Sequence, residues 1–293
     1  MKFSIMRSID TKRYPSLIGQ SVEDLERFSI ALGQPSFRGR QLFDWIYRKK
    51  VDDFTQMTDL PKLFQEKLKG YSLHPLKILN TNSSSSKKTQ KYLLTTKKGM
   101  TIESVLMRKK NRATICLSTQ VGCAVDCSFC ATAKMGFVKN LSVGEIIDQY
   151  FQLEKLSDTK ITNVVFMGMG EPFLNYKSSI AAAKLLNHEK GINLGARRIT
   201  ISTAGIIGKI KKFTNEKHPF RLAVSLNGSN QDQRLQIMPI TKNQTFQNLL
   251  EAIKGYTNQS RKRITIEYVL IEGINNSKKD SLKLIEILSH IKC

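Results

Sequence analysis

Arg112-Ala-Thr-Ile-Cys116-Leu-Ser-Thr-Gln-Val-Gly-Cys123 leads directly into Cys123-Ala-Val-Asp-Cys127-Ser-Phe-Cys130. The apolar run over 113–118 reads as a β-strand. Asp126 and Ser128 make the following segment a polar loop, not a core segment. A parallel α/β barrel carries its chemistry on loops at the C-terminal strand ends, which is where this loop hangs. Its C-x3-C-x2-C spacing offers three thiolates to three corners of an iron–sulfur cube. Electron-transfer clusters take four Cys, so a three-thiolate cube leaves one iron open to a small molecule. The competing readings are a zinc site or three buried thiols. Structural zinc takes four ligands, usually from paired C-x2-C or C…H units. His74, His188, His218 and His290 all lie away from the loop in sequence.

Working outward from this loop, short apolar runs at 113–118, 162–167, 198–202, 222–226 and 264–271 alternate with helical stretches. Those stretches lie near 142–155, 176–187, 205–213, 246–256 and 278–291. Successive βα units predict a parallel sheet with right-handed crossovers. The first 76 residues read as mostly helical. Ser21-Val-Glu-Asp opens a capped helix with Leu25, Phe28 and Ile30 on its apolar face. A second face comprises Phe37, Leu42, Phe43 and Ile46, with Trp45 expected to anchor the core. Asp59-Leu-Pro61 starts a third helix, which Gly70 ends. Residues 77–98 switch to β-like segments, with Ser83 to Ser86 and Lys87-Lys88 as a hairpin tip. The organisation predicted is a basic accessory domain over 1–98 and an α/β core over 99–293.

Polar residues collect at the predicted strand ends. Val164-Val-Phe-Met-Gly168-Met-Gly170-Glu171-Pro172 closes the second strand. Glycines let backbone approach a ligand, and a carboxylate there accepts from an ammonium; a tight strand exit explains the pattern equally well. Ser202 ends the third strand, and Ser225-Leu226-Asn227 the fourth. Such groups can hydrogen-bond ribose, carboxylate or adenine, or simply cap helices. Cys116 alone reads as a small core hydrophobe. Glu103 alone reads as an exposed charge on a strand entering the barrel.

Lys+Arg total 47 against 24 Asp+Glu, a net charge of +23 over 293 residues, which points to a polyanionic partner. Arg48-Lys49-Lys50, Lys87-Lys88, Lys97-Lys98 and Arg108-Lys109-Lys110 concentrate cations in the first third of the chain. Five Cys, three of them clustered, fit a reducing compartment better than a disulfide framework. The first residues lack a long apolar segment, so no secretory signal is read there, and no run approaches the ~18 apolar residues of a membrane helix. A cytoplasmic protein without a membrane partner is expected.

With Phe129 before the last Cys, the C-x3-C-x2-C loop carries the signature of radical S-adenosylmethionine (SAM) enzymes. Together with Cys130-Ala-Thr-Ala-Lys-Met-Gly-Phe137, it resembles the RlmN/Cfr family of RNA adenine methyltransferases from about residue 37 onward. The resemblance implies an incomplete TIM-like (β/α)6 barrel lacking its last strand. It implies a [4Fe-4S] cluster on Cys123, Cys127 and Cys130. It implies SAM held by Gly170, Glu171, Ser202, Ser225, Leu226 and Asn227, where relatives often carry His in place of Asn227. Cys116 would resolve a protein–RNA crosslink and Glu103 would accept a proton. The implied reaction adds a methyl to C2 of adenine in 23S rRNA and in the tRNA anticodon loop, by way of a methylated cysteine and a 5′-deoxyadenosyl radical. The alternatives are a Cfr-like C8 methyltransferase or an inactive RNA-binding remnant. Flavodoxin or ferredoxin would supply electrons. The methyl-carrying Cys of an Ala-Cys-Gly-Gln-Leu-like context is not met before Cys293, whose surroundings differ, so a truncated product or partial record is expected.

Overall fold

The computed structural model describes residues 16–293. The segment 1–15, in which no secretory signal was read, lies outside the described residues. Helix α1 (Val22–Ala31) opens on a capping box. The Ser21 hydroxyl accepts from the Asp24 N–H while the Asp24 carboxylate accepts from the Ser21 N–H, satisfying two donors at the helix start. Helix α2 (Phe37–Phe43) runs into a π-helical turn, Asp44–Lys49, and α3 (Lys62–Leu68) follows Pro61. Leu25, Phe28, Leu42, Phe43, Ile46 and Phe64 are buried as their spacing requires, but Ile30 and Phe37 are exposed. Trp45 is only half-buried: its indole N–H donates to Asp59 Oδ1 and the Lys49 ammonium sits over its ring. The anchor is instead Tyr47, fully buried; its hydroxyl donates to the Gln20 carbonyl and accepts from the Gly19 N–H.

Strands β1 (Leu76–Ser83), β2 (Thr89–Thr96) and β3 (Thr101–Lys109) form an antiparallel meander ending on β4 (Arg112–Cys116). From β4 the sheet becomes parallel through β7 (Ile161–Phe166), β8 (Ile199–Thr203), β9 (Arg221–Ser225) and β10 (Thr265–Glu267). The eight strands make one open mixed sheet with β1 and β10 at its edges. The expected boundary at 98/99 falls in the turn between β2 and β3, two paired strands of that sheet. The predicted fifth strand is much shorter than its 264–271 apolar run, because the chain turns away after Glu267.

Crossovers alternate with the parallel strands: α4 (Val143–Lys155), α5 (Tyr176–Asn187), α6 (Ile207–Asn215), α8 (Phe246–Ser260) and, after β10, α9 (Lys278–Ser289). Their apolar faces and the β-branched strand residues form one continuous core with the N-terminal helices. A short helix absent from the sequence reading, α7 (Gln231–Ile237), follows β9. A small hairpin of β5 (Gln120–Gly122) and β6 (Phe137–Asn140) brackets the cysteine loop. No helix among the described residues is long and apolar enough to cross a membrane.

Candidate active site

The C-terminal ends of the parallel strands and the cysteine loop enclose a cavity of about 440 Å3. Cys123, Cys127 and Cys130 line it, together with Gly170, Glu171, Ser202, Ser225 and Asn227. The loop is held at three points. The Cys123 N–H donates to the Gly136 carbonyl, the Cys130 N–H to the Cys127 carbonyl, and the Ser128 N–H to the Ile237 carbonyl at the end of α7. Gly170 adopts φ +93°, and a Cβ there would lie 2.4 Å from Gln120 Cβ. Only glycine lets the β7 exit pass this close to the start of the cysteine hairpin. The Gln120 amide ties the same region together: Oε1 accepts from the Glu171 N–H at 2.8 Å and Nε2 donates to Asn140 Oδ1 at 2.8 Å.

Glu171 is buried, and both carboxylate oxygens are fixed by backbone donors. Oε1 accepts from the Phe173 N–H at 2.8 Å and Oε2 from the Ala204 N–H at 2.6 Å. Burial nevertheless dominates, and with Glu267 nearby it pushes the Glu171 pKa up to about 7. Glu267 itself accepts from the Ser202 hydroxyl at 2.6 Å and the Ser225 hydroxyl at 2.9 Å, joining three strand ends. Asn227 takes the left-handed conformation at φ +56°, with Oδ1 accepting from the Val269 N–H at 3.0 Å. Burial raises the Cys123 thiol and pushes the Cys127 thiol up to about 12, the neighbouring cysteines adding to the effect.

The other predicted residues stand off the cavity. Leu226 is wholly buried beneath the floor and offers only backbone, its N–H donating to the Glu267 carbonyl. Cys116 ends β4 and is buried; burial pushes its thiol up to about 11, Glu267 raising it further and a backbone hydrogen bond at Met167 opposing the rise. Glu103 pairs with Lys91 at 2.8 Å. Val105 is the register partner of Cys116, so Glu103, two residues along, faces the same side of the sheet as that thiol. Cys293 lines a separate basic cavity with Arg263 and Ile264, beside the N-terminal end of β10 and at the opposite end of the strands from the three thiols. Sequence reasoning missed Glu267, Gln120, Met238 and Tyr268. Glu267 left one signal: a carboxylate interrupting the apolar run 264–271 near a strand end.

Residues 117–285 match the Radical SAM superfamily, and residues 16–73 match the ribosomal RNA large subunit methyltransferase N-terminal domain. A probable dual-specificity RNA methyltransferase RlmN from Aquifex aeolicus (strain VF5) is 43% identical over 276 residues, 93% of this chain and 79% of that protein. A relative of the same name from Bacillus velezensis is 38% identical over 296 residues, covering 100% of this chain and 81% of its own. The chain belongs to the RlmN-type radical SAM RNA methyltransferases. The crystal structure of a radical SAM methyltransferase from Sphaerobacter thermophilus superposes with a TM-score of 0.90 at 38% identity, over 95% of this chain and 83% of that one.

Radical SAM enzymes use a [4Fe-4S] cluster and SAM, and the residues of this RlmN-type chain fit both. The three thiols line one cavity and perturb one another. Three thiols on one short loop suit three corners of a cluster, whereas a structural zinc site takes four ligands. Beside the thiols, the carboxylates, hydroxyls and amide at the strand ends offer the mixed acceptors and donors that an amino acid joined to a nucleoside needs.

Proposed function

We propose that this RlmN-type enzyme methylates C2 of an adenine in 23S rRNA and of an adenine in the tRNA anticodon loop. The observation that carries the reading is the convergence of the three-thiol loop with Glu171, Ser202, Ser225 and Asn227 on a single cavity. The relatives' description as dual-specificity RNA methyltransferases supports two RNA substrates, and the +23 charge supports a polyanion. Unpaired loop bases can be splayed into a pocket without the unpairing energy that a paired base would cost.

In this reading Cys123, Cys127 and Cys130 would hold the cluster, which would supply the electron for SAM cleavage, with flavodoxin or ferredoxin as the electron donor. Glu171, fixed by two backbone N–H groups, presents a carboxylate edge to the SAM ammonium, and Gly170 lets the backbone approach it. Ser202, Ser225 and Asn227 orient the remaining polar groups, with Leu226 contributing backbone only. Cys116 resolves the protein–RNA crosslink; burial holds its free thiol protonated, so it must give up its proton before its sulfur attacks. Glu103, on the same side of the sheet and paired with Lys91, accepts a proton. Such free thiols belong in the cytoplasm.

The test is mass spectrometry of nucleosides from 23S rRNA and tRNA after incubation with anaerobically reconstituted protein, reductant and SAM. With a family-like C-terminal segment carrying the methyl-bearing Cys joined to the chain, formation of 2-methyladenosine in both RNAs is expected. 8-Methyladenosine would replace this reading with a Cfr-like one, and RNA binding without modification would leave a binding protein.

A further inference from the structure

Arg234, on α7, is fully buried, and every partner it has is neutral. Nε donates to the Leu226 carbonyl at 3.1 Å, Nη1 to the Thr241 hydroxyl at 2.5 Å, and Nη2 to the carbonyls of Ala204 and, at 3.4 Å, Ser225. No carboxylate among the described residues forms an ion pair with it. The nearest acids are committed elsewhere: Glu171 to the backbone N–H groups of Phe173 and Ala204, and Glu267 to Ser202 and Ser225. Two glycines make room for this residue, one at its guanidinium and one at its backbone. A Cβ on Gly205 would lie 3.1 Å from Nη2, and one on Gly228 would lie 2.9 Å from the Arg234 backbone nitrogen.

A guanidinium sealed from water without an anion costs several kcal/mol, because hydrogen bonds to carbonyls replace its hydration only in part. A neutral side chain would fill the volume without that cost. The charge therefore has a use where it sits. It lies directly under Ala204 and Ser225, both of which line the cavity. Cys127 lines the same cavity as those two residues. The same helix holds the cysteine loop through the Ile237 carbonyl and Ser128 N–H. Position and charge are thus delivered to the loop by one element.

We propose that Arg234 is the fixed counter-charge of the cluster and sets its reduction potential. The inference rests on the cluster being held by Cys123, Cys127 and Cys130. Reduction adds one electron from the external donor, so the reduced cluster carries one more negative charge than the oxidised one. A buried cation stabilises that form more and moves the midpoint potential in the positive direction. Arg234 touches no reacting atom and acts as a positioning and electrostatic residue.

The experiment is an EPR-monitored redox titration of reconstituted wild type, Arg234→Gln and Arg234→Lys, with iron content and thermal midpoint measured on each. Arg234→Gln should load iron but be harder to reduce, its reduced-to-oxidised ratio at fixed potential falling on the order of tenfold. Arg234→Lys should stay close to wild type, which a purely packing role would not produce. Thr241→Asp keeps the guanidinium and gives it an anion, so it should lower the potential, whereas Thr241→Asn should not; this pair decides the matter if Arg234→Gln does not fold. An iron-loaded Arg234→Gln at the wild-type potential, or equal potentials in the two Thr241 variants, overturns the proposal. Wild type that takes up no cluster overturns the cluster reading itself, and the proposal with it.

Discussion

At Gly170 the backbone stands at φ +93°, and a side chain there would strike both the Gln120 side chain at 2.4 Å and the Gln120 backbone nitrogen at 2.8 Å. Gly170→Ala should therefore cost about 2–4 kcal/mol and abolish SAM binding, as read by calorimetry on the reconstituted protein. Its neighbour Glu171 makes a pH prediction. Its pKa rises from 4.5 unfolded to about 7 folded, chiefly through burial. A raised carboxyl holds its proton longer in the folded state, so the folded chain binds more protons between these values and stability falls as pH rises through them. The loss is roughly 3 kcal/mol. Glu171→Gln should remove that fall, so its thermal midpoint should exceed that of cluster-free wild type at pH 8 but not at pH 4. Equal pH profiles would sink this account. The thiols, Gly170 and Glu171 were legible in the sequence because a strand end and a short loop are local features. Arg234 and Glu267 were not, because their meaning lies in partners more than 25 residues away or in the absence of one.

Among the elements, α7 shows why local reading stops where it does. Gln231-Asp-Gln-Arg-Leu-Gln-Ile buries Arg234 beside Ile237 and leaves Leu235 exposed, so it lacks the continuous apolar stripe that marks an amphipathic surface helix. The N-terminal helices were legible from caps and spacing, but the π-helical turn after Phe43 was not. That extra residue per turn rotates the tail of the helix, leaving Trp45 at the edge and driving Tyr47 into the core. Tyr47 then latches the segment at Gln20 onto α4, where Gly19 and Gly144 meet: a Cβ on Gly19 would lie 2.3 Å from the Gly144 nitrogen. Tyr47→Phe keeps the ring but strands the Gly19 N–H. It should destabilise the chain by about 1–3 kcal/mol, measured by denaturant unfolding. A loss smaller than a few tenths of a kcal/mol would mean water reaches the Gly19 amide.

Over the whole molecule, the basic excess was legible but its placement was not, because the meander distributes the lysine pairs between the two ends of the sheet. Lys87, Lys88, Lys109 and Lys110 lie at the end where β4 begins; the Arg108 N–H donates to the Lys88 carbonyl there. Lys97 and Lys98 lie in the β2–β3 turn, at the end where β4 finishes and the cavity opens. All six are exposed. An RNA that places a base in the cavity brings its backbone to the end of the sheet that carries the second group. Each phosphate neutralised contributes about 0.9 to the slope of log affinity against log salt for a duplex and about 0.7 for a single strand. Lys97→Glu with Lys98→Glu should therefore flatten that slope by about 1–2 and weaken binding of a 23S rRNA fragment, read by fluorescence anisotropy across a salt series. Lys87→Glu with Lys88→Glu should change it less. Charge reversal is the informative change here, since deleting the first 98 residues would also strip β1 and β2 from the sheet and confuse lost charge with lost structure. Equal effects of the two reversals would show that RNA is gripped along the whole meander, and that the cavity end has no privileged part in guiding the strand.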